Sequence, residues 1–372
     1  MIDHASAGIP PVAWIGNLGG VGFQYVRLLW RADIAADLFL ARNYLNRQSP
    51  GNPEHEWEGA SDLDFLHPHP RSVTNHIVNR MGHIGWPAAW ERRIGQSHGL
   101  VQAQTCNEIN AMRIKQAYGL PYCGLTTGSD LSEVAVGDSA FSRLYRKSLE
   151  QAEHVFLVNI DQFETLSRAS LSLKSFGFLP FSVDLEHLKP TSNHLSDRLI
   201  IFCAARLDWR SKDRASIKAN DIFFRGFADF HQRHPDVECA LRVADWGVDR
   251  EATRDLVGSL GIADTVTFVP FGDKSVFYDN VKSAHLVVDQ FSLGAVGLTA
   301  IEGMALGRPV MAAVDQVAAL RAYGVEMPIL NCTNPAEVCR TLASLNPATI
   351  MAHSEASSNW VRTHHSDEHI RE

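Results

Sequence analysis

The 372-residue chain lacks any excess of positive charge: 34 lysines and arginines stand against 42 aspartates and glutamates, a formal net charge of −8 at pH 7. A nucleic-acid-binding surface needs a cationic footprint, and the composition offers none. The first 190 residues carry 16 basic and 19 acidic side chains, so no basic half exists to grip an anionic membrane. No stretch has the run of about 18 apolar residues that reads as a transmembrane helix. The opening MIDHASAGIPP has neither a basic region nor a long apolar run, so no targeting segment is expected and the protein is expected in the cytoplasm. The six cysteines (Cys106, Cys123, Cys203, Cys239, Cys332 and Cys339) form no C-x-x-C pair and sit mostly in apolar segments. Neither a zinc site nor a disulfide framework follows from them, and the compartment is expected to be reducing.

What the chain does have is ample core material, with 45% hydrophobic and 20% charged residues, over a length that at roughly 150 residues per domain suggests two domains. The stretch that organises the rest is Val287–Val314, VVDQFSLGAVGLTAIEGMALGRPVMAAV. Leu286–Asp289 is a short apolar run ending in polar residues, as expected of a strand buried on both faces of a parallel sheet. Gly294 and Gly297 bracket a loop leading into a helix over Leu298–Ala305, which Gly307-Arg-Pro closes with a glycine stop followed by proline. A glycine loop feeding a helix N-terminus exposes N–H groups and suits phosphate. Glu302 falls near the apolar stripe of that helix and must find a partner, either water at the helix edge or ligand hydroxyls such as those of ribose.

Along the chain, Pro11–Ile15 is a strand candidate followed by the glycine-rich turn Gly16-Asn-Leu-Gly-Gly-Val-Gly22 and a helical pattern from Phe23. Counted from Gly20, the dinucleotide fingerprint G-x-G-x-x-G fails at Tyr25, and the next strand, DLFLA, is followed by Arg42 instead of an acid. Gly19 and Gly20 read as residues of a tight βα turn, for which glycines are required. Gln48–Pro70 reads as a loop, and the Asp62-Leu-Asp64 and His67-Pro-His-Pro70 within it read as chance and as extended chain, not as metal ligands. Gly99–Gln104, Tyr122–Thr126 and His154–Val158 are further strands alternating with helical patterns around Asn107–Tyr118 and Ala140–Glu153, which implies a parallel doubly wound sheet. Thr127-Gly-Ser-Asp130 lies at the carboxyl end of a strand, so Asp130 is a candidate catalytic acid or a helix cap. Pro190–Ser196 reads as a linker, and a second βα series opens at Leu199–Ala204, with later strands at Leu241–Ala244, Val266–Val269, Leu286–Val288 and Val310–Val314.

Glu302 and the run Met304-Ala-Leu-Gly-Arg-Pro-Val310 resemble the signature segment of retaining glycosyltransferases of the GT-B architecture, in which Glu, seven residues and a second Glu precede such a run. This chain keeps the second Glu and has Gly294 where the first would stand. Ser182-Val-Asp184 resembles the family segment that ends the first domain, and Arg206-Leu-Asp and Lys218-Ala-Asn-Asp221 resemble its donor-diphosphate elements.

The resemblance implies an α/β fold with two Rossmann-like doubly wound domains facing a cleft. The N-terminal acceptor domain would be 1–190 with a C-terminal helix near 355–372 packing back on it, and the nucleotide-sugar donor domain 197–345. It implies that Arg206 and Lys218 meet the growing charge of a departing diphosphate, as a planar guanidinium and a compact ammonium are suited to do. Glu302 would hold ribose, backbone groups of Gly294, Ala295, Val296 and Gly297 would take phosphate or sugar oxygens, Gly19 and Gly20 of the first glycine loop would bind substrate near the donor phosphates or the acceptor, and Gln290 would influence the choice of sugar. The implied function is metal-independent hexosyl transfer, with retention, from a nucleotide-diphosphate sugar to a glycan, lipid or small-molecule acceptor, with no cofactor beyond that co-substrate. The alternatives are a non-catalytic nucleotide-sugar-binding protein and an NADP-dependent oxidoreductase using the Gly16–Gly22 turn and Arg42.

Overall fold

The computed structural model describes residues 10–45, 52, 63–195, 198–211 and 217–371. Their contacts divide the chain into two units, Met1–Ser182 and Val183–Glu372. The first holds strands β1 (Val12–Ile15), β2 (Ala36–Ala41), β3 (Leu66–His69), β4 (Leu100–Gln104), β5 (Tyr122–Thr126), β6 (His154–Leu157) and β7 (Phe176–Phe178) in the order β3-β2-β1-β4-β5-β6-β7. Every pairing is parallel, with Val12 of β1 opposite Ala36 on one side and Leu100 on the other. The second holds β8 (Arg198–Cys203), β9 (Glu238–Asp245), β10 (Val266–Pro270), β11 (Leu286–Val288), β12 (Val310–Ala312) and β13 (Leu330–Asn331) in the order β10-β9-β8-β11-β12-β13, again all parallel.

Parallel strands need crossovers, and the intervening helices cover both sheet faces. The central strands of the second sheet are accordingly apolar: Leu286, Val287 and Val288 of β11 are all buried, as are Val310, Met311 and Ala312 of β12. In each sheet the order reverses between two adjacent strands, β1 and β4 in the first unit and β8 and β11 in the second. A crevice opens beyond the carboxyl ends of such a pair, because the two crossovers leave in opposite directions.

Most expected strands appear within a residue or two, and the helix over Leu298–Ala305 appears as read. The Gln48–Pro70 stretch differs, because its end forms β3. Pro68 gave the sequence a loop signal, yet β3 lies at the sheet edge, where a residue without an N–H is tolerated. Residues 46–51 and 53–62, with Asp62 of the Asp62-Leu-Asp64 triplet, lie outside the described residues, as do 212–216 of the stretch after Arg210. Pro190–Ser196, read as a linker, is fastened within the second unit: Thr191 N–H donates to Leu306 O at 3.2 Å and the buried Asn193 donates to His285 O at 3.0 Å. The C-terminal helices Pro347–His364 and Asp367–Arg371 belong by their contacts to the second unit.

A buried cation holds this unit's corner. Arg308, 1% exposed, donates to the carbonyls of Val281, Lys282, Thr191 and Ser192 and to the Thr191 hydroxyl. Burial lowers its pKa to about 10. The backbone delivers it there because the Leu298–Ala305 helix ends in a left-handed Gly307 (φ 76°), with Arg308 N–H returning to Gly303 O at 3.0 Å. Replacing Arg308 by Ala would leave several buried carbonyls unmet and open a cavity, so Arg308→Ala should cost about 3 kcal/mol or more. Urea unfolding of the full chain measures this, and an unchanged midpoint would refute the bracing role.

Candidate active site

The candidate donor residues of the second unit gather at the β8/β11 switch point. Arg206 lies three residues beyond β8 and donates through Nη2 to the fully buried Asp208 carboxylate at 3.0 Å. Its Nε is buried with no hydrogen-bond partner among the described residues. Asp208 also fixes Lys218: its carbonyl accepts the N–H groups of Lys218 (2.6 Å) and Ala219 (3.2 Å), while its own N–H donates to Asn220 Oδ1 at 3.0 Å. Ala219 takes a positive φ of 50° to make this turn.

From there the network reaches β11. Lys218 Nζ donates to Gln290 Oε1, Gln290 Nε2 donates to Ala295 O, and Lys218 O accepts Phe291 N–H at 2.9 Å. Asp289, also buried, accepts Gly297 N–H at 2.7 Å. Burial pushes the Asp289 carboxyl above its ordinary range, while the Lys218 ammonium and the Gly297 N–H act in the opposite direction. Asp289 is a residue the sequence reading passed over as a strand end. Its carboxylate occupies one helix N-terminal N–H that the glycine loop was expected to offer to phosphate.

Gly294 has φ 67°, and its carbonyl accepts Asp315 N–H at 2.9 Å. The departure from the Glu-containing pattern is thus a matter of backbone as well as side chain, because an L-residue is strained in that conformation. Glu302, five residues beyond Gly297 and about 7.5 Å further along the helix axis, is 2% exposed. It is paired with Lys274 at 2.5 Å and accepts the Tyr278 hydroxyl at 3.2 Å. The water-solvated reading of Glu302 is therefore ruled out. Lys274 and Tyr278 were missed because no local pattern links the Lys274–Lys282 helix to a carboxylate 28 residues on.

In the first unit, Asp130 is 3% exposed and accepts the N–H groups of Thr127, Gly128 and Leu131 at 2.8–3.1 Å. It folds the turn that precedes it, and the cap expected on the following helix is not made by its side chain. Burial raises its pKa against those N–H groups, and burial together with the charge of Asp130 pushes Glu108 well above the carboxylate range. A cavity of about 230 Å³ lies at the β1/β4 switch point, lined among others by Gly16, Tyr44, Arg71, Asn75, Trp90 and Asn107. Asp130, Gly19 and Gly20 are not among its lining residues. His69, at its wall, stacks on Trp90 with ring centroids 3.9 Å apart, and burial lowers its pKa toward the neutral imidazole.

Two sheets of seven and six parallel strands match known structures across nearly the whole chain. Sucrose-phosphate synthase from Thermosynechococcus elongatus aligns over 97% of this chain and 96% of its own, with a TM-score of 0.69 and 16% identity. HepE from Anabaena in complex with UDP-glucose aligns over 97% of each chain, with a TM-score of 0.69 and 13% identity. The fold is GT-B. No family model matches the sequence. A D-inositol 3-phosphate glycosyltransferase of Salinispora arenicola (strain CNS-205) is 32% identical over 142 residues, 36% of this chain, and the chain spans about a third (32%) of that curated relative.

On this GT-B frame the Gly294 backbone can be tested directly. A Cβ at Gly294 would meet Asp315 Cβ at an ordinary 3.5 Å, so the obstacle to Gly294→Glu is φ and not space. That substitution should destabilise by about 1–2 kcal/mol, whereas Gly294→Asn, which tolerates this region, should cost less. Urea denaturation of both variants checks the order, and equal stability of Gly294→Glu and wild type would contradict the observed conformation.

Proposed function

We propose that the protein is a glycosyltransferase that moves a sugar from a nucleotide-diphosphate donor to an acceptor hydroxyl, with retention and without a metal. The observation that carries this reading is that one buried aspartate at the switch point of the second unit fixes both Arg206, through its guanidinium, and Lys218, through its backbone N–H. The glycosyl C–O bond breaks with its electron pair leaving on the diphosphate, the acceptor oxygen bonds to the same carbon, and the acceptor's proton passes to the departing diphosphate, while fixed cations stabilise its charge without reorganising. Arg206, whose side chain is 33% exposed, is the phosphate-facing member. Lys218, held by Gln290, is placed to respond to the sugar-bearing end. Glu302 accepts ribose hydroxyls, with Lys274 balancing its charge when no nucleotide is bound, and the Gly294–Val296 backbone contacts phosphate or sugar. Support comes from the GT-B fold, from HepE having been solved with UDP-glucose, and from the glycosyltransferase name of the Salinispora relative. The acceptor is assigned to the cavity of the first unit, whose amides and Arg71 suit a polar, hydroxylated molecule.

A thermal-shift screen of nucleotide diphosphates and their sugars, followed by turnover of the donors that stabilise, tests the assignment. Arg206→Ala and Lys218→Ala should each slow transfer by roughly 10²-fold. Near-normal kcat in both at saturating donor would overturn the leaving-group assignment. Glu302→Gln should weaken binding of the free nucleotide by roughly 10- to 150-fold, the loss of a hydrogen bond to a charged group. Calorimetry measures it, and an unchanged affinity would confine Glu302 to its pairing with Lys274. Because Gly294 brings no carboxylate to the sugar, a non-catalytic nucleotide-sugar binder is the second reading: donor binding with no turnover on any acceptor would favour it.

A further inference from the structure

The helix Val73–Arg80 has two unlike faces. Asn75 and Asn79 are buried, and Asn75 also donates to Trp86 O at 2.9 Å, which fastens the following loop to the helix. The opposite face carries Val73, Ile77 and Met81 at i, i+4 and i+8, one continuous stripe at helical spacing. These side chains are 71%, 54% and 64% exposed, and Trp86 is 86% exposed. Such a concentration of large apolar groups in water marks an interaction surface.

The exposed charges of the segment that carries it have one sign. Between residues 65 and 107 the basic residues Arg71, Arg80, Arg92 and Arg93 are all exposed. The one acid in that span, Glu91, is fully buried and paired with Arg113. Met81 also borders a groove of about 430 Å³ whose lining includes His83, Arg143 and Lys147 and no acidic side chain. The nearby exposed Asp138 offers its backbone carbonyl to Arg143 at 2.6 Å. The near-neutral charge of the first 190 residues as a whole conceals this local patch.

We infer that this face lies on an anionic lipid bilayer. The Val73–Met81 stripe and Trp86 enter the headgroup boundary, and Arg80, Arg92, Arg93, Arg143 and Lys147 meet lipid phosphates. An apolar stripe flanked by long cationic side chains, with an aromatic at its margin, is the chemistry of interfacial binding. A protein partner would be expected to require a specific pattern of polar contacts, whereas the exposed charges of residues 65–107 are all cationic and lie beside an apolar stripe.

The test uses the full chain in sedimentation with vesicles of phosphatidylcholine alone and of phosphatidylcholine mixed with phosphatidylglycerol. Binding is expected to the anionic vesicles and to fall by roughly five-fold for each of Arg143→Ala and Lys147→Ala, and on the order of ten-fold for Val73→Ser combined with Ile77→Ser. Tryptophan emission should shift to the blue with anionic vesicles, and Trp86→Phe should remove most of that shift. All substituted positions are exposed, and circular dichroism verifies that each variant folds. Absence of binding to either vesicle, or equal binding of wild type and variants, would overturn the inference. So would a concentration-dependent dimer abolished by the Val73→Ser and Ile77→Ser changes, since that would assign the face to a second copy of the chain.

Discussion

The site depends on one topological constraint: strands β8 and β11 are neighbours whose crossovers leave in opposite directions. Their carboxyl ends are therefore not covered by a common connection, and the loops that follow them face each other across a crevice. Arg206 follows one strand and Gln290 the other, and Lys218 joins the two loops through its backbone and its side chain. Asp208 makes the arrangement rigid, because its carboxylate, carbonyl and N–H are each committed to a different partner. The same topology in the first unit produces a second crevice, at β1 and β4, where the cavity lined by Gly16 and Asn107 lies.

The two carboxylates of the donor region have different electrostatic settings. Asp289 answers a helix N-terminal N–H and a nearby ammonium, which offset part of its burial. Glu302 is matched by Lys274 from a separate helix and by the Tyr278 hydroxyl. A buried carboxylate without such partners would carry a desolvation penalty of several kcal/mol, so these cations are part of what allows one acid to stand at a buried strand end and the other in an apolar helix. Gly294, in turn, is shaped by its left-handed backbone and its bond from Asp315, which together give the loop its course. The loss of a side chain there is coupled to a local conformation that a glutamate would strain.

The first unit combines a polar cavity with an apolar exterior on a single short helix. Ser72, Asn75, His76 and Asn79 face the cavity, and Val73 and Ile77 face outward. A polar acceptor pocket and a lipid-facing stripe on opposite sides of eight residues would bring membrane-borne acceptors and the site close together, a relation that depends on both proposals.

The sequence by itself determined the alternation of strand and helix, the division into two βα series, and the helix over Leu298–Ala305. Apolar runs, glycine stops and prolines are local signals that act through nearby residues, so they survive without tertiary context. It also brought out Arg206, Lys218 and Glu302, because the motifs that contain them are contiguous. Tertiary structure decided what could not be local. It turned His67-Pro-His into an edge strand, since only an edge tolerates Pro68, and it supplied Lys274 and Tyr278 to Glu302 from a helix with no sequence link to it. Arg308, read only as part of a helix stop, became a buried brace because its reach spans segments more than a hundred residues apart. Asp130 became a turn-forming acid because burial and three backbone N–H groups claimed its carboxylate. The exposed stripe of Val73, Ile77 and Met81 was invisible for the same reason: whether an apolar face is core or surface depends on what packs against it, and that is a property of the fold.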